Sequence, residues 1–277
     1  MQLFAPAKIN LSFKILRRRE DGFHEIDTLM APISLADELT IEPNDSGPEI
    51  AFSSDDPTLP AGEENLVVKA ARRFFAEIGR EPRVRITLRK KIPHGAGLGG
   101  GSSDAASTLL GLNQLHGVPL SPECLTSLAA EIGSDVPFFL NAGPARCRGR
   151  GEIVESVEAL PRLSLLLLKP EFGVPTPWAY QQWRDSRELP GVDYAPQKIG
   201  EFVLENDLER PVFEKHLFLA RMKSWLRDQP EVAAALLSGS GSTMFAVLRD
   251  GAATEGLAGR ARRELDPELW IVPVTTP

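Results

Sequence analysis

Three stretches carry residue types suited to handling a phosphate group. The first, PHGAGLGGGSSDAAS at residues 93–107, runs straight into the apolar pattern TLLGLNQL. Glycine loses more conformational entropy on folding than any other residue, so such a run weakens an ordered element unless bare backbone is itself useful. Placed before a helix it has a use. A helix N-terminus presents free N–H groups and partial positive charge, and an anion can approach them with no side chain in the way. The second stretch is APAKINLSF, where Ala7, Ile9, Leu11 and Phe13 alternate with Lys8, Asn10 and Ser12, so a strand would put the polar three on one face. The third is GSDVPFF, in which Asp135 is followed by Val136, Pro137, Phe138 and Phe139. An ionised carboxylate in such company needs a partner. Lys8 is the candidate: it would keep Asp135 ionised, ready to accept a proton from an attacking hydroxyl, and would offer positive charge to a transferring phosphoryl group.

Each signal has a plainer explanation when taken alone. Strand lysines are commonly exposed, aspartates often cap turns, and a glycine loop can simply turn a corner. Rival phosphate loops fit less well. A Walker A loop ends in Gly-Lys-Ser/Thr, whereas Gly100 is followed by Gly101 and Ser102. Gly95, Gly97 and Gly100 satisfy GxGxxG, but a dinucleotide fold needs an acid at the end of the next strand; here another helix follows, with Glu123 inside it.

The elements that must position these groups read as mixed α and β. Strands are expected at 3–16 and 24–34, joined by RRREDG, and at 38–43, 49–53 and 83–90. Helices are expected over 64–78, over roughly 102–116, where Ala105, Leu109 and Leu112 keep helical spacing, and from Ser121-Pro122 to Gly133. After a buried-type strand in PRLSLLLLKP come helices near 176–186, 196–205 and 212–228, then strands at 243–249 and 268–274. The change of pattern near residue 160 divides the chain into domains 1–160 and 161–277. With 42% hydrophobic and 25% charged residues the composition is that of an ordinary globular protein. A net charge of -7 argues against nucleic-acid binding. Two cysteines without CxxC spacing argue against a disulfide framework or structural zinc, and favour a reducing compartment. The run LSLLLL is too short to span a bilayer, and MQLFAPAKIN lacks a basic start followed by a long apolar run, so a cytoplasmic location without membrane partners is expected.

Together these motifs resemble the GHMP kinases, named for galacto-, homoserine, mevalonate and phosphomevalonate kinases. PHGAGLGGGSSDAAS is similar to their ATP-phosphate loop, which wraps the triphosphate without a Walker lysine. PAKINL at 6–11, DGFHEI at 21–26, GSDVPFF at 133–139, PTPWAY at 175–180 and LSGSGSTMF at 237–245 resemble, in this order and over nearly the whole chain, the member that phosphorylates the 2-hydroxyl of a cytidine-diphosphate-linked methylerythritol on the non-mevalonate route to isoprenoids. The resemblance implies Lys8 and Asp135 as the catalytic pair, with Asn10 beside them near the substrate. It implies cytosine recognition by Phe23 and His24, although tyrosine is usual at the first of these positions and phenylalanine lacks its hydroxyl. Thr176, Pro177 and Tyr180 fall at the second wall of the cytidine pocket, with the Tyr180 ring available to stack on the base. Lys90, next to Lys91, falls where the family has a basic residue near the substrate. ATP contacts are implied for Pro93, Gly95, Ala96, Gly97, Leu98, Gly99, Gly100, Gly101, Ser102 and Ser103, and for Gly239 and Ser240 in the motif that supports this loop. Asn65 matches a position near the adenosine, where helix capping explains an asparagine equally well.

The fold so implied is α+β, a two-domain GHMP-kinase-like fold with a ribosomal-protein-S5-domain-2-like N-terminal ATP-binding domain and a ferredoxin-like C-terminal domain. ATP is the implied phosphoryl donor, with Mg²⁺ accompanying it and no acid assignable as its ligand. The implied partner is a small molecule carrying a cytidine diphosphate group. The alternatives are another small-alcohol kinase of the mevalonate or homoserine type, or a non-catalytic nucleotide-binding protein of the same fold.

Overall fold

The alternating residues at the start of the chain form β1 (Gln2–Arg18), which turns through RRREDG into β2 (His24–Pro43) in the computed structural model, which describes residues 1–117, 120–158 and 160–277. The two strands pair antiparallel along almost their whole length, with register shifts between Pro6 and Lys8 and between Asn10 and Ser12. Ala7, Ile9 and Leu11 enter one apolar layer while Lys8 and Asn10 turn to the opposite face, and all five are buried. The expected strands 24–34 and 38–43 are one continuous strand. It is long enough to take β4 (Val84–Arg89) along its second half and β5 (Ala145–Gly149) along its first. β3 (Ile50–Ser54) runs parallel to β4, and β6 (Ile153–Ser156) closes the other edge against β5. Helices α1 (Leu66–Glu77), α2 (Gly100–Leu115) and α3 (Pro122–Ile132) cover this sheet around a core that includes Phe74, Phe75, Leu109 and Phe138. Ser121 caps α3 by accepting the Cys124 N–H, with Pro122 in the first turn.

A second, wholly antiparallel sheet has the order β10 (Val232–Leu237), β11 (Met244–Leu248), β7 (Ser164–Lys169), β12 (Trp270–Thr275). Leu165, Leu167, Leu236 and Phe245 pack from it onto Ala7, Ile9 and Leu11 of β1, so the strand that carries Lys8 lies between two cores. On the far face lie α4 (Thr176–Gln182), α5 (Glu209–Lys215), α6 (Leu217–Arg227) and α7 (Thr254–Glu264).

The helix expected at 196–205 is instead a hairpin, β8 (Gln197–Ile199) and β9 (Phe202–Asn206), turned at Gly200 with φ 57°. Leu204 and Asn206 are buried while Val203 is exposed, a period of two, and the free edge of β1 supplies the pairing partner. β9 runs parallel to β1, with Ser12 opposite Glu205 and Phe13 opposite Asn206, so the first sheet takes strands from the second half of the chain. The helix expected over 212–228 breaks at His216 into α5 and α6. Strands β5, β6, β10 and helix α7 are absent from the expected set.

Each half seals an ionic cluster in its core. Lys223 Nζ lies 2.5 Å from Glu209 Oε2, each side chain 2% exposed, and Glu209 Oε1 accepts the Leu237 N–H. Beneath α2, Lys90 reaches Asp37 and, at 2.9 Å, Asp104, while Asp37 also accepts the N–H groups of Lys91 and Ile92. Burial chiefly, opposed by Lys90 and reinforced by Asp37, raises the Asp104 pKa to about 7. One ammonium between two carboxylates leaves one of them able to hold a proton near neutrality.

Replacing Lys223 with methionine leaves Glu209 buried without its cation and should destabilise the protein by about 3–5 kcal/mol. Urea unfolding midpoints measure this, and an unchanged midpoint would contradict it. A carboxyl whose pKa rises on folding from an unfolded value of about 3.9 binds its proton more tightly in the folded state, so its stabilising contribution is full below about pH 4 and is lost as pH rises toward about 7. Asp104→Asn should remove that decline from a stability profile, and wild-type and variant profiles that run parallel over this window would refute the assignment.

Candidate active site

Where the glycine loop enters α2 there is a cleft of about 340 Å³, bounded by residues from both halves of the chain. Lys8 lies at its base, 4% exposed, and is held by oxygen on three sides. Its Nζ donates to Asn10 Oδ1 at 2.6 Å and to the Gly97 carbonyl at 3.0 Å, and stands 3.8 Å from Asp135 Oδ2. Asn10 in turn donates to Thr28 Oγ1, which donates to the Ser12 carbonyl. Burial lowers the Lys8 pKa, and Asp135 is the strongest opposing influence. The Asp135 side chain is 37% exposed, open to the cleft, although Val136, Pro137 and Phe138 behind it are buried. Its setting is therefore less enclosed than its apolar neighbours in sequence suggest. Cys147 lies behind the pair as a thiol, its pKa pushed up to about 12 mainly by burial.

The loop closes onto the second motif of glycines and serines. Gly97 has φ 77°, and a Cβ there would fall 2.1 Å from the Ser238 carbonyl oxygen, so only glycine fits. Its carbonyl accepts from both Lys8 and Ser238 Oγ, and the Thr243 N–H donates to Ala96. Pro93, Gly95, Ala96, Gly97, Gly99, Gly100, Gly101 and Ser102 line the cleft at the start of α2, whose first N–H groups have no partner within the helix. Leu98 and Ser103 do not: Leu98, in the loop, packs between the sheets, and Ser103, in the first turn of α2, is fully buried. Asn65 borders the cleft as the cap of α1, its Oδ1 accepting the Val67 N–H and its Nδ2 donating to the Pro60 carbonyl. Its carboxamide is thus engaged by the fold. Lys90 likewise borders the cleft, with its ammonium held by Asp37 and Asp104 beneath the loop.

At the opposite end, Thr176 and Tyr180 of α4 face Gly239 and Ser240 across the cleft, with the Thr176 and Ser240 hydroxyl oxygens 2.8 Å apart. Burial, then Asp135, raises the Tyr180 pKa. His24 stands behind Tyr180, stacked on it with ring centroids 5.3 Å apart and planes 26° from parallel, and Trp183 meets its edge. Burial and the nearby Arg18 lower the His24 pKa, which keeps the imidazole neutral at pH 7. Pro177 is exposed in the first turn of α4, where its fixed φ starts the helix; it forms no wall of the cleft. Phe23 is 51% exposed outside the cleft, and its ring carries the Arg150 guanidinium 4.9 Å above its centre.

Arg150, which sequence reading did not single out, lies close to two of the expected site residues, Phe23 and Asp135. It sits in the turn GRG between β5 and β6, and a Cβ on the next residue, Gly151, would lie 3.4 Å from Asp135 Oδ1. The only trace of it in the sequence is an arginine between two turn glycines, which indicates a hairpin and not its destination. Glu64 and Asp104 also border the cleft without having been singled out.

The chain matches two family descriptions, GHMP kinases N terminal domain over residues 65–143 and GHMP kinases C terminal over 196–270. The 4-diphosphocytidyl-2-C-methyl-D-erythritol kinase of Methylacidiphilum infernorum is 42% identical over 271 residues, 97% of this chain and 94% of its own. That of Geobacter metallireducens is 38% identical over 278 residues, 98% and 96% of the two chains. A crystal structure of 4-(cytidine 5'-diphospho)-2C-methyl-D-erythritol kinase superposes with a TM-score of 0.79 at 37% identity over 100% of both chains. Homoserine kinase from Cytophaga hutchinsonii, with a TM-score of 0.67 at 19% identity over 100% and 94%, shares the fold alone. On sequence and fold together, this chain belongs to the 4-diphosphocytidyl-2-C-methyl-D-erythritol kinase family of the GHMP kinases.

Proposed function

We propose that the protein transfers the γ-phosphoryl group of ATP to the 2-hydroxyl of 4-diphosphocytidyl-2-C-methyl-D-erythritol, a step toward isoprenoid precursors, with Lys8 and Asp135 carrying the chemistry. The observation behind this assignment of roles is the buried Lys8 ammonium, 3.8 Å from a carboxylate that opens into a glycine-lined cleft. In this reading Asp135 takes the proton from the hydroxyl as that oxygen bonds to the γ-phosphorus and the bond from phosphorus to the ADP oxygen breaks. Lys8, fixed in advance by Asn10 and the Gly97 carbonyl, offers charge to the transferring group without reorganising. The loop backbone and the start of α2 cradle the phosphates. Mevalonate- and homoserine-type kinases share the fold at only 12–19% identity, which favours the cytidine-bearing acceptor.

Among the described residues no three His, Cys, Asp or Glu gather into a metal site. The cleft does offer hard oxygen donors in Ser102, Glu64 and Asp135, a set that fits a magnesium ion which keeps waters and phosphate oxygens as its other ligands. Ser102 and Glu64 would hold it, and when bound it would neutralise phosphate charge.

The cytidine is assigned to the end formed by Tyr180 and His24. Their rings already stack on each other, and a base between them would need two gaps of about 3.5 Å, so it either parts them or stacks on an outer face. Arg150 stacks over Phe23, the chain neighbour of His24, and precedes Gly151, which packs against Ser134 and Asp135; its guanidinium is assigned to the diphosphate that joins the cytidine to the alcohol. Its guanidinium, loosely paired with Glu152 at 3.8 Å, retains donors for an anion.

With ATP, Mg²⁺ and this substrate, Asp135→Asn should lower kcat by roughly 10²–10⁴-fold in an ADP-release assay, and full activity would remove the proposed base. Lys8→Ala should be at least as damaging. Because burial lowers the Lys8 pKa, the wild-type rate should begin to fall on the alkaline side below the usual lysine value of about 10.4. Arg150→Met should raise KM for the cytidine-bearing substrate about tenfold and leave KM for ATP unchanged, as loss of one charge-assisted contact requires. Equal effects on both constants would place Arg150 elsewhere.

A further inference from the structure

The end of β9 grips the segment 237–239 from outside the cleft. Asn206, 7% exposed, donates from Nδ2 to the Leu237 and Gly239 carbonyls, both at 2.8 Å, and its Oδ1 accepts the Leu208 N–H. Both amide hydrogens of the carboxamide are therefore committed to one short stretch of backbone. The next residue ties the grip to β1: Asp207 Oδ2 accepts the Ile15 N–H and its own N–H donates to Phe13. Asn206 thus hangs from the strand that carries Lys8 and Asn10, and it does not border the cleft.

What it holds lies against the reacting groups. Gly239 has φ 56°, and a Cβ there would be 3.2 Å from Asn10 Oδ1 and 3.4 Å from Lys8 Nζ. Within the turn the Ser238 N–H donates to Thr243 and the Gly241 N–H to Ser238, the Thr243 N–H reaches out to Ala96 and Ser238 Oγ to Gly97, and none of these bonds involves Gly239. Glu209 holds the Leu237 N–H, one step short of the turn. The second Asn206 bond is what reaches the Gly239 carbonyl.

We propose that Asn206 is a positioning residue for phosphoryl transfer: by fixing the Leu237 and Gly239 carbonyls it sets Gly239 against Lys8 and Asn10 and so aims the ammonium into the cleft. This rests on the function proposed above. The residue acts through backbone, so its loss should appear in kcat and not in the affinity for either substrate.

The test compares Asn206→Asp, Asn206→Ala, Gly239→Ala and the double variant Asn206→Ala with Gly239→Ala, measuring kcat, both KM values and thermal melting. The aspartate turns an oxygen toward two carbonyls in place of a donor. Expected are folded Asn206 variants with kcat lowered at least about tenfold, KM for ATP and for the acceptor changed less than about threefold, and a double variant no worse than its worse parent, because both changes act through one contact. Should Asn206→Asp fail to fold, Asn206→Ser, which keeps one donor and loses the second bond, serves the same comparison. Folded Asn206 variants with wild-type kcat, a loss confined to KM, or losses that multiply in the double variant would overturn the inference while an active wild type leaves the function standing. A wild type that does not turn over this substrate would overturn both.

Discussion

A lysine ammonium shut away from water must be surrounded by oxygen, and that requirement organises this protein. Lys8 meets it with the carboxamide of Asn10, the carbonyl of Gly97 and, at a longer distance, the carboxylate of Asp135. The three come from one strand, from the glycine loop and from the segment after α3, so satisfying one cation draws three remote parts of the chain to a point. Burial lowers the lysine's pKa, and the Asp135 charge works against that shift. The same arrangement leaves Asp135 as the partner open to solvent, and hence to a ligand.

Around this point the backbones come closer than side chains allow. The glycine loop and the 238–243 turn meet at Gly97, where the Ser238 carbonyl occupies the place of a missing Cβ and the Ser238 hydroxyl donates to the same residue. A contact this tight passes any shift of one loop to the other, which suits a site where phosphate donor and alcohol acceptor must meet within fractions of an ångström. It also binds the halves of the chain together. β9 extends the first sheet, the two sheets share an apolar layer, and the sealed Lys223–Glu209 pair braces the strand that leads into the turn.

The candidate site was legible in the sequence to the extent that its parts were local. The alternation around Lys8, the glycines before a helix and an aspartate in apolar company each required a specific environment that short-range chemistry can name. Reading failed where a residue's fate depended on what packs beside it. Lys90 became the centre of a buried cluster and Phe23 turned outward beneath Arg150, and nothing within a few residues of either reveals those partners. Asn65 kept both of its readings, capping α1 while bordering the cleft. The segment 196–205 failed for a related reason: its pairing edge lies on β1, nearly two hundred residues away in sequence, and the contact with that edge decides between helix and strand.

By itself the sequence determined the parts and their chemistry: an anion-binding loop ahead of a helix, a strand with a polar face, and a carboxylate in need of a cation. Only the tertiary structure decided that Lys8 lies 3.8 Å from Asp135, that His24 and Tyr180 stack on each other, and that Asn206 reaches across to the 237–239 carbonyls. The physical reason is one of range. Propensity, periodicity and turn chemistry act over a few residues, whereas a buried charge or an amide donor is satisfied by whatever oxygen the packed chain brings within three or four ångströms, however distant in sequence.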